Sequence, residues 1–229
     1  MSYELSTRLQ TCLDALKPLQ KIADIGTDHA YLPCVGMLDN QLTYAIAADI
    51  GVGPLESAKA TIKRYGLEAK IETRLGGGLS ILAPSEVEGV VVAGMGGKLI
   101  VSILDADIPL TTSFKRLVLQ PNIDANLVRA WLSNHSFTII DEKIVLDEGK
   151  FYEVIVAEPT NEETSYNELD LEFGPILRQT PNDEVFKARW MKEFNKNQEI
   201  MDQLAVNHPR LADLEARQAL LSEVLKCQS

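Results

Sequence analysis

The sequence predicts an α/β fold, in which a mainly parallel sheet is flanked by helices, followed by an antiparallel helical region of coiled-coil type. Two observations predict it. Up to about residue 158, short apolar runs of strand length alternate with segments in which apolar residues recur at helical spacing. Beyond Pro159 the alternation ends and apolar residues repeat at heptad-like intervals. We therefore expect an α/β domain over residues 1–158 and a helical domain over residues 159–229.

The order of the elements follows from these patterns. Leu5, Leu9, Leu13 and Leu16 recur at helical spacing, which indicates an amphipathic helix that covers the sheet. The run 89–93 is continuously apolar, as expected of a strand buried on both faces. The predicted strands are 21–25, 43–49, 70–75, 89–93 and 116–122, the predicted helices are 5–16, 30–40, 55–65, 98–104 and 124–134, and residues 137–146 and 151–157 are a terminal hairpin.

Two apolar stripes predict the helices of the second region. One stripe comprises Phe186, Trp190, Phe194, Met201 and Leu204, and the other comprises Leu211, Leu214, Leu221 and Leu225. Pro209 lies between the stripes and separates two antiparallel helices. The sequence leaves open whether this region positions an RNA substrate or holds a dimer together.

The composition indicates a folded, soluble protein of the cytoplasm. The chain has 229 residues, of which 45% are hydrophobic and 24% charged, and it shows neither a signal peptide nor a membrane-spanning segment. Cys12, Cys34 and Cys227 are too scattered for a metal site or a disulfide framework, so we expect reduced thiols and no metal. The net charge of -11 argues against a general nucleic-acid binder, so RNA binding would depend on a local basic patch.

The stretch Ile22–Pro33 predicts a ligand site at the carboxyl end of the first strand. Asp24 lies near the strand end, Gly26 can adopt backbone angles closed to other residues, and Thr27 and Asp28 are good caps for a following helix. Open α/β sheets bind nucleotides at this edge. The stretch lacks the three glycines of a dinucleotide fingerprint and a phosphate-binding loop, which favours a ligand held through Asp24 rather than through phosphates.

Asp49 ends the second strand, roughly 20 residues beyond the glycine turn, where an acidic residue accepts the hydroxyls of a ribose. Both hydroxyls can donate to one carboxylate. The alternative is that Asp49 caps the helix that contains Pro54.

Three motifs resemble those of a known family. Asp24-Ile-Gly-Thr-Asp-His-Ala-Tyr-Leu-Pro33, Ala93-Gly-Met-Gly-Gly97 and Leu119-Gln-Pro-Asn122 resemble, in order and spacing, motifs of the bacterial tRNA (adenine(22)-N(1))-methyltransferase family. The first also resembles motif I of class I S-adenosylmethionine-dependent methyltransferases. The resemblance extends from about residue 5 to about residue 158, with a looser match in the helical tail. It implies a Rossmann-like fold, S-adenosyl-L-methionine as cofactor, and methylation of N1 of adenine 22 in tRNA.

The resemblance also implies which residues bind the cofactor. Relatives carry an acidic residue in the loop after the third strand, where it holds the amino group of the cofactor's adenine, whereas this chain has Gly77. The glycines after the fourth strand occupy the place of motif IV but lack its Asn/Asp-Pro-Pro-aromatic sequence, which disfavours an exocyclic amine as target; alternatively they form only a tight turn. The predicted cofactor-binding residues are Asp24, Gly26, Asp28, His29, Asp49, Gly76, Gly77, Gly94, Met95 and Gly96.

Asp28 and Asn122 are predicted to act in catalysis. Adenine N1 has a free lone pair and needs no base, so the enzyme's main task is placement of the reactants. The product ring is cationic, and a nearby carboxylate such as Asp28 can stabilise it or accept a proton from the amino group. The alternative for each residue is helix capping, with Asp124 as the second candidate cap beside Asn122.

The residues predicted to contact the substrate are Arg8, Tyr31, Gln120 and Asn122. Arg8 is expected either to contact RNA phosphate or to be a solvated charge, Tyr31 to stack on an extruded base, and Gln120 to bond an adenine edge. Two other functions stay open at this point. One is a methyltransferase of the same fold that acts on a small molecule, and the other is a non-catalytic module that binds cofactor or RNA.

Overall fold

A computed structural model of the chain describes residues 4–180, 183–205 and 207–226. The predicted Cys227 thiol therefore lies outside the described residues. The chain divides into two compact units between Ser165 and Tyr166. Our domain boundary between residues 158 and 159 stays a prediction. None of the helices in the described ranges is long and apolar enough to cross a membrane.

The first unit is built on one seven-stranded sheet. Its strands are β1 (Lys21–Ile25), β2 (Tyr44–Asp49), β3 (Ile71–Leu75), β4 (Gly89–Gly96), β5 (Arg116–Ile123), β6 (Phe137–Asp147) and β7 (Lys150–Pro159). They lie in the order β3-β2-β1-β4-β5-β7-β6, with β1 to β5 parallel and β7 antiparallel to both of its neighbours. The strand order reverses between β1 and β4, so the ends of these two strands flank the place where such sheets bind ligands.

Helices cover both faces of this sheet, and the predicted α/β architecture is confirmed. They are α1 (Thr7–Ala15), α2 (Tyr31–Leu38), α3 (Val52–Arg64), α4 (Gly97–Asp105), α5 (Ile108–Thr111) and α6 (Ala125–Asn134). Every predicted strand and helix of this unit is present, with ends shifted by up to three residues. The short helix α5 and the 3-10 turn Gly78–Ile81 were not predicted. The side chains of β4 and β5 that face the helices are fully buried, as the apolar runs predict.

A buried ion cluster fastens α6 to the β6–β7 hairpin. Arg129 is fully buried, and its Nε lies 2.7 Å from Glu142 Oε1 on β6 while one terminal nitrogen lies 2.6 Å from Glu153 Oε2 on β7. Burial acts to lower the pKa of Arg129, but the combined attraction of Glu153 and Glu142 outweighs burial and raises this pKa above its usual value. The guanidinium therefore stays charged at every accessible pH.

The second unit contains α7 (Glu168–Phe173), a 3-10 turn (Leu177–Gln179), α8 (Glu184–Asp202) and α9 (Leu211–Lys226). Helices α8 and α9 pack antiparallel, as predicted. Asn197 is buried between them and donates from Nδ2 to Leu214 O and to Gln218 Oε1, both at 2.8 Å. A buried amide with two defined partners specifies the register of the two helices better than apolar contacts do.

Candidate active site at the carboxyl edge of the parallel strands

The turn after β1 has the geometry that the sequence predicted for Gly26. The amides of Gly26 and Thr27 both donate to Ala48 O on β2, at 2.8 and 2.9 Å. Gly26 has a φ of 79°, and a Cβ there would lie 2.2 Å from Met95 Cε. A side chain at this position would be strained and would displace Met95, so the close approach of the β1 and β4 ends requires glycine.

Asp24 is a buried carboxylate at the base of this turn. It is 6% exposed, and its Oδ2 accepts a hydrogen bond of 2.6 Å from Thr27 Oγ1. Burial raises the pKa of Asp24 from 3.8 to about 6; the Thr27 hydrogen bond opposes this shift, the charge of Asp49 adds to it, and Arg8 opposes it. The residue lines a cleft of about 450 Å³. A cationic ligand in this cleft would stabilise the ionised form of Asp24.

Helix capping by Thr27 or Asp28, one of our expectations, is wrong. Helix α2 begins at Tyr31, and Ala30, whose side chain has no oxygen, occupies the N-cap position. The hydroxyl of Thr27 donates to Asp24 instead. Asp28 has a φ of 52°, a conformation that Asp tolerates better than most residues, and its exposed side chain lines the 450 Å³ cleft. The competing structural role for Asp28 is therefore removed.

His29 and Tyr31 form the same wall of the cleft as Asp28. Their rings are stacked, with centroids 5.1 Å apart and planes inclined by 16°. His29 Nε2 lies 3.6 Å from Asp28 Oδ1. This wall combines an aromatic surface with a carboxylate, which suits a planar base that becomes cationic.

Asp49 lies beside the glycine turn and does not cap α3. Its Oδ1 accepts from Gly51 N at 2.9 Å and its Oδ2 from Asp28 N at 3.3 Å, whereas Gly51 itself occupies the N-cap position. Each carboxylate oxygen has a further lone pair. These lone pairs are available to a ligand with neighbouring hydroxyl groups.

A second cleft, of about 320 Å³, opens on the other side of Gly26. Its flanks are apolar and exposed, with Ile50 at 79% and Leu99 at 53%. The residues that line it also include Asp49, Gly76, Gly77, Gly78 and Met95. Apolar flanks beside an acidic strand end are the arrangement expected for a nucleoside, whose base needs two apolar faces and whose ribose needs an acceptor.

The glycine-rich end of β4 forms a bulge, and two side chains of β5 fix it. The β4–β5 pairing shifts register between Ala93 and Met95, and Gly94 has a φ of 80°. Gly94 N donates to Gln120 Oε1 at 3.0 Å, and Gly94 O accepts from Asn122 Nδ2 at 2.7 Å. Gly94 lines the 450 Å³ cleft and Met95 the 320 Å³ cleft, so the bulge lies between them.

Three of the predicted residues lie behind or beside the clefts rather than in their walls. Gln120 is fully buried behind the cleft walls, and the direct bond to a substrate that we expected of it stays a prediction. Asn122 is exposed at the rim, and Asp124 rather than Asn122 occupies the N-cap position of α6. Gly96 is the N-cap residue of α4 and lines neither of the two clefts.

Arg8 lines the 450 Å³ cleft instead of projecting into solvent. One of its terminal nitrogens donates to Gln120 Oε1 at 2.7 Å, and its guanidinium lies 5.3 Å from the centre of the Tyr152 ring. Its backbone N donates to Asp147 Oδ2 at 3.3 Å. The expectation of a solvated charge is therefore wrong, and contact with RNA phosphate stays a prediction.

Sequence reasoning missed a further wall of the 450 Å³ cleft. Asp147 and Glu148 line this cleft from the β6–β7 turn, and Tyr152 lines it from β7. The sequence identifies this turn as a hairpin, but its place in the sheet depends on topology. Because β7 inserts antiparallel between β5 and β6, β6 runs in the direction of the parallel strands and ends at their carboxyl edge. A hairpin signal alone carries no such information.

A family profile and an individual relative that match this chain carry the same description. Residues 22–227 match the sequence profile of the family described as TrmK, tRNA (adenine(22)-N(1))-methyltransferase. A tRNA (adenine(22)-N(1))-methyltransferase of Bacillus subtilis is 39% identical over 232 aligned positions, which cover 97% of either chain.

Solved structures of similar proteins have the same fold. The crystal structure of the Bacillus subtilis tRNA methyltransferase TrmK superposes with a TM-score of 0.86 at 37% identity, over 97% of this chain and 99% of that one. A Streptococcus pneumoniae protein crystallised in complex with S-adenosyl-L-methionine superposes with a TM-score of 0.89 at 33% identity, over 97% of this chain and 100% of that one.

Proposed function

Because this chain belongs to the tRNA (adenine(22)-N(1))-methyltransferase family, we propose that it transfers a methyl group from S-adenosyl-L-methionine to N1 of adenine 22 in tRNA. The observation that carries the proposal is the arrangement of two clefts around one glycine turn. The cleft beside Asp49 suits a nucleoside, and the cleft beside Asp28 suits a planar base. A methyl donor and its acceptor must meet in line, and adjoining clefts provide this placement.

The cofactor fits the residues that are present. We propose that Asp49 accepts the ribose hydroxyls, that Ile50 and Leu99 flank the adenine, and that Asp24 faces the ammonium group. Gly26 lines the 320 Å³ cleft, and its turn lies between the two clefts along which the cofactor would extend. S-adenosyl-L-methionine supplies a methyl group made electrophilic by its sulfonium. The remaining proposed cofactor contacts are Asp28, His29, Gly76, Gly77, Gly94, Met95 and Gly96.

The protein's part in the chemistry is positioning and electrostatic stabilisation. We propose that His29 and Tyr31 hold the extruded adenine by stacking, and that Asp28 stabilises the positive charge that the ring acquires. Asp28 is exposed in the free protein and lies on the same wall, so it can also accept a proton from the amino group. Asn122 is the second proposed catalytic residue beside Asp28. Arg8, which lines the 450 Å³ cleft, is proposed to contact the substrate there.

We propose further that the enzyme acts in the cytoplasm, as a monomer or weak homodimer, and without a metal ion. Residues 1–158 would form the cofactor-binding domain and residues 159–229 a helical domain that contributes to RNA binding. Because the net charge is -11, binding must depend on local basic residues, and affinity for tRNA should fall steeply with salt.

The test of the function is methylation of two tRNA transcripts that differ only at position 22. With labelled S-adenosyl-L-methionine, we expect N1-methyladenosine in the transcript with adenine 22 and no label in the transcript with guanine 22. Label in both transcripts, or in neither while the cofactor binds, would contradict the proposal. The first result would place the reaction elsewhere in the RNA, and the second would favour a small-molecule substrate or a binding module.

Gly77 offers a separate test of the cofactor site. A Cβ at this position would approach only the end of the Ile50 side chain, at 3.3 Å, whereas a Cβ at Gly76 would lie 2.3 Å from Ile81 Cγ2. Gly77→Asp therefore adds the carboxylate that relatives carry, with little steric cost. We expect the dissociation constant of S-adenosyl-L-methionine to fall roughly fivefold, because a charged hydrogen bond contributes about 1 kcal/mol or more.

Calorimetric titration would measure this gain, with Gly77→Ala as the matched control. The control has the same added Cβ without the carboxylate, so its affinity should equal that of the unchanged protein. Equal affinities of Gly77→Asp and Gly77→Ala would show that the cofactor's adenine does not lie beside residue 77.

A further inference from the structure

The side-chain amide of Asn122 has hydrogen-bonding capacity to spare beside Gly94, which lines the 450 Å³ cleft. Its Nδ2 donates to Gly94 O at 2.7 Å, and its Oδ1 accepts from Gln120 Nε2 at 3.1 Å. A primary amide has two N–H groups and two lone pairs on oxygen. Counting partners among the described residues, one N–H and one lone pair of the exposed Asn122 amide remain for a ligand.

Two donors behind Asn122 fix the orientation of this amide. Gln120 Oε1 accepts from Gly94 N at 3.0 Å and from a terminal nitrogen of Arg8 at 2.7 Å. A backbone N–H and a guanidinium can only donate, so the buried Gln120 must turn its oxygen toward them and its amino group toward Asn122. Asn122 must then turn Oδ1 toward Gln120 and Nδ2 toward Gly94 O. The orientation of the Asn122 amide is therefore determined by the two donors, Gly94 N and Arg8, that bind Gln120 Oε1.

The proposed reaction restricts which edge of adenine the protein can read. N1 supplies the lone pair that attacks the methyl group, so a hydrogen bond donated to N1 would oppose the reaction. The edge beside it presents the N6 amino group as donor and N7 as acceptor, and an Asn amide pairs with both at once. Guanine presents two acceptors at that edge, O6 and N7, so an amide of fixed orientation would bring its oxygen against O6.

We propose, on the basis of the function proposed above, that Asn122 reads the N6/N7 edge of the target adenine and that Arg8 and Gln120 are positioning residues that fix its amide. Asn122 Oδ1 accepts from the adenine amino group, and its second N–H donates to N7. This arrangement leaves N1 free to react. It also gives the fully buried Gln120 a part in substrate selection without contact to the RNA.

The experiment compares tRNA with adenine 22 and tRNA with 7-deazaadenine 22, which keeps N1 and the amino group but has no N7. With the unchanged protein, we expect kcat/KM for the 7-deaza substrate to be roughly tenfold lower, the effect of losing one bond of a bidentate pair. Asn122→Asp retains acceptors but has no N–H for N7. This variant should therefore methylate both substrates at the same reduced rate. The ratio of kcat/KM for the adenine substrate to kcat/KM for the 7-deazaadenine substrate then falls from about ten to about one.

Gln120→Glu tests the positioning role. A carboxylate still accepts from Arg8 and Gly94 but has no N–H for Asn122, so the Asn122 amide is free to turn and the ratio should again approach one. Asn126→Asp is the matched control, because its Oδ1 accepts, among the described residues, from the neighbouring Leu127 N alone, and Asp can accept the same bond. This control adds the same charge near the rim and should keep the tenfold ratio.

Two results would overturn the inference. One is equal kcat/KM for adenine and 7-deazaadenine with the unchanged protein. The other is a lower rate of Asn122→Asp on both substrates with the tenfold ratio intact, which is what a purely structural role would produce. Failure of the unchanged protein to methylate unmodified tRNA at adenine 22 would instead overturn the proposed function itself.

Discussion

Asp24→Asn is expected to weaken the binding of S-adenosyl-L-methionine roughly 100-fold and, at the same time, to raise the free energy of unfolding of the ligand-free protein. The Asp24 carboxylate is 6% exposed and is proposed to face the ammonium group of the cofactor. Loss of a buried charged hydrogen bond costs about 3 kcal/mol, which corresponds to roughly 100-fold in affinity. Asn keeps an oxygen for the bond from Thr27 Oγ1, so the fold should persist.

The sign of the stability effect follows from the pKa of Asp24. Burial raises this pKa from 3.8 to about 6 in the folded protein. Because the folded pKa lies above the unfolded one, ionised Asp24 destabilises the fold above pH 6, and this penalty is relieved as the pH falls from 6 toward 3.8. Asn carries no charge, so the variant should gain about 1–3 kcal/mol at neutral pH.

The same pKa predicts how cofactor binding depends on pH. A cationic ligand favours the ionised carboxylate, so the affinity of the unchanged protein should fall as the pH drops below about 6. Calorimetric titration above and below this pH would measure the effect, and thermal unfolding would measure the gain in stability. Asp39→Asn, at an exposed position after α2, is the control and should change neither. Cofactor binding by Asp24→Asn with unchanged affinity and unchanged pH dependence would contradict the assignment.

The strands and the position of the site could be predicted because local patterns determine them. The apolar run 89–93 has the length and composition of a strand buried on both faces, and Asp24 and Asp49 lie at or near the ends of two further apolar runs. Once the strands are parallel, their carboxyl ends share one edge, and the residues that follow them must lie close together. The short distance between Asp28 N and Asp49 Oδ2, 3.3 Å, is a consequence of this rule.

The parts that could not be predicted depend on tertiary contacts. Arg8 looks like an ordinary exposed charge on an amphipathic helix, and only the packing of α1 over the sheet brings it to Gln120. Thr27 and Asp28 are good capping residues in isolation, but the hydroxyl of Thr27 bonds the buried Asp24 instead. A capping propensity of about 1 kcal/mol is too small to compete with the need to satisfy a buried carboxylate.

Arg129→Met is expected to destabilise the first unit by about 3–5 kcal/mol. Arg129 is fully buried, and its removal deletes the cation that pairs with Glu142 and Glu153, which are only 4% and 9% exposed. Two carboxylates in such surroundings must either remain charged and repel each other or become protonated, and both alternatives cost free energy. This cluster could not be predicted from the sequence, because its three members lie on three different elements, α6, β6 and β7.

Urea unfolding followed by the fluorescence of Trp131, which lies on the same helix, would measure the loss. A Trp190→Phe background removes the other tryptophan, whose indole N–H has no hydrogen-bond partner among the described residues. Lys143→Met is the control, because Lys143 and Asp141 form an exposed pair at 3.8 Å that should contribute about 1 kcal/mol or less.

The combined variant Arg129→Met, Glu142→Gln, Glu153→Gln separates two explanations of this loss. If the cost arises from uncompensated buried charge, removing both carboxylates should recover most of the lost free energy, because replacing a whole buried ion cluster is often nearly neutral. If the triple variant remains as unstable as Arg129→Met, the packing of the arginine side chain between α6 and the hairpin is the larger contribution. Arg129 would then fix the position of the hairpin mainly through the van der Waals packing of its side chain. The hairpin in turn places Asp147 and Tyr152 in the cleft wall.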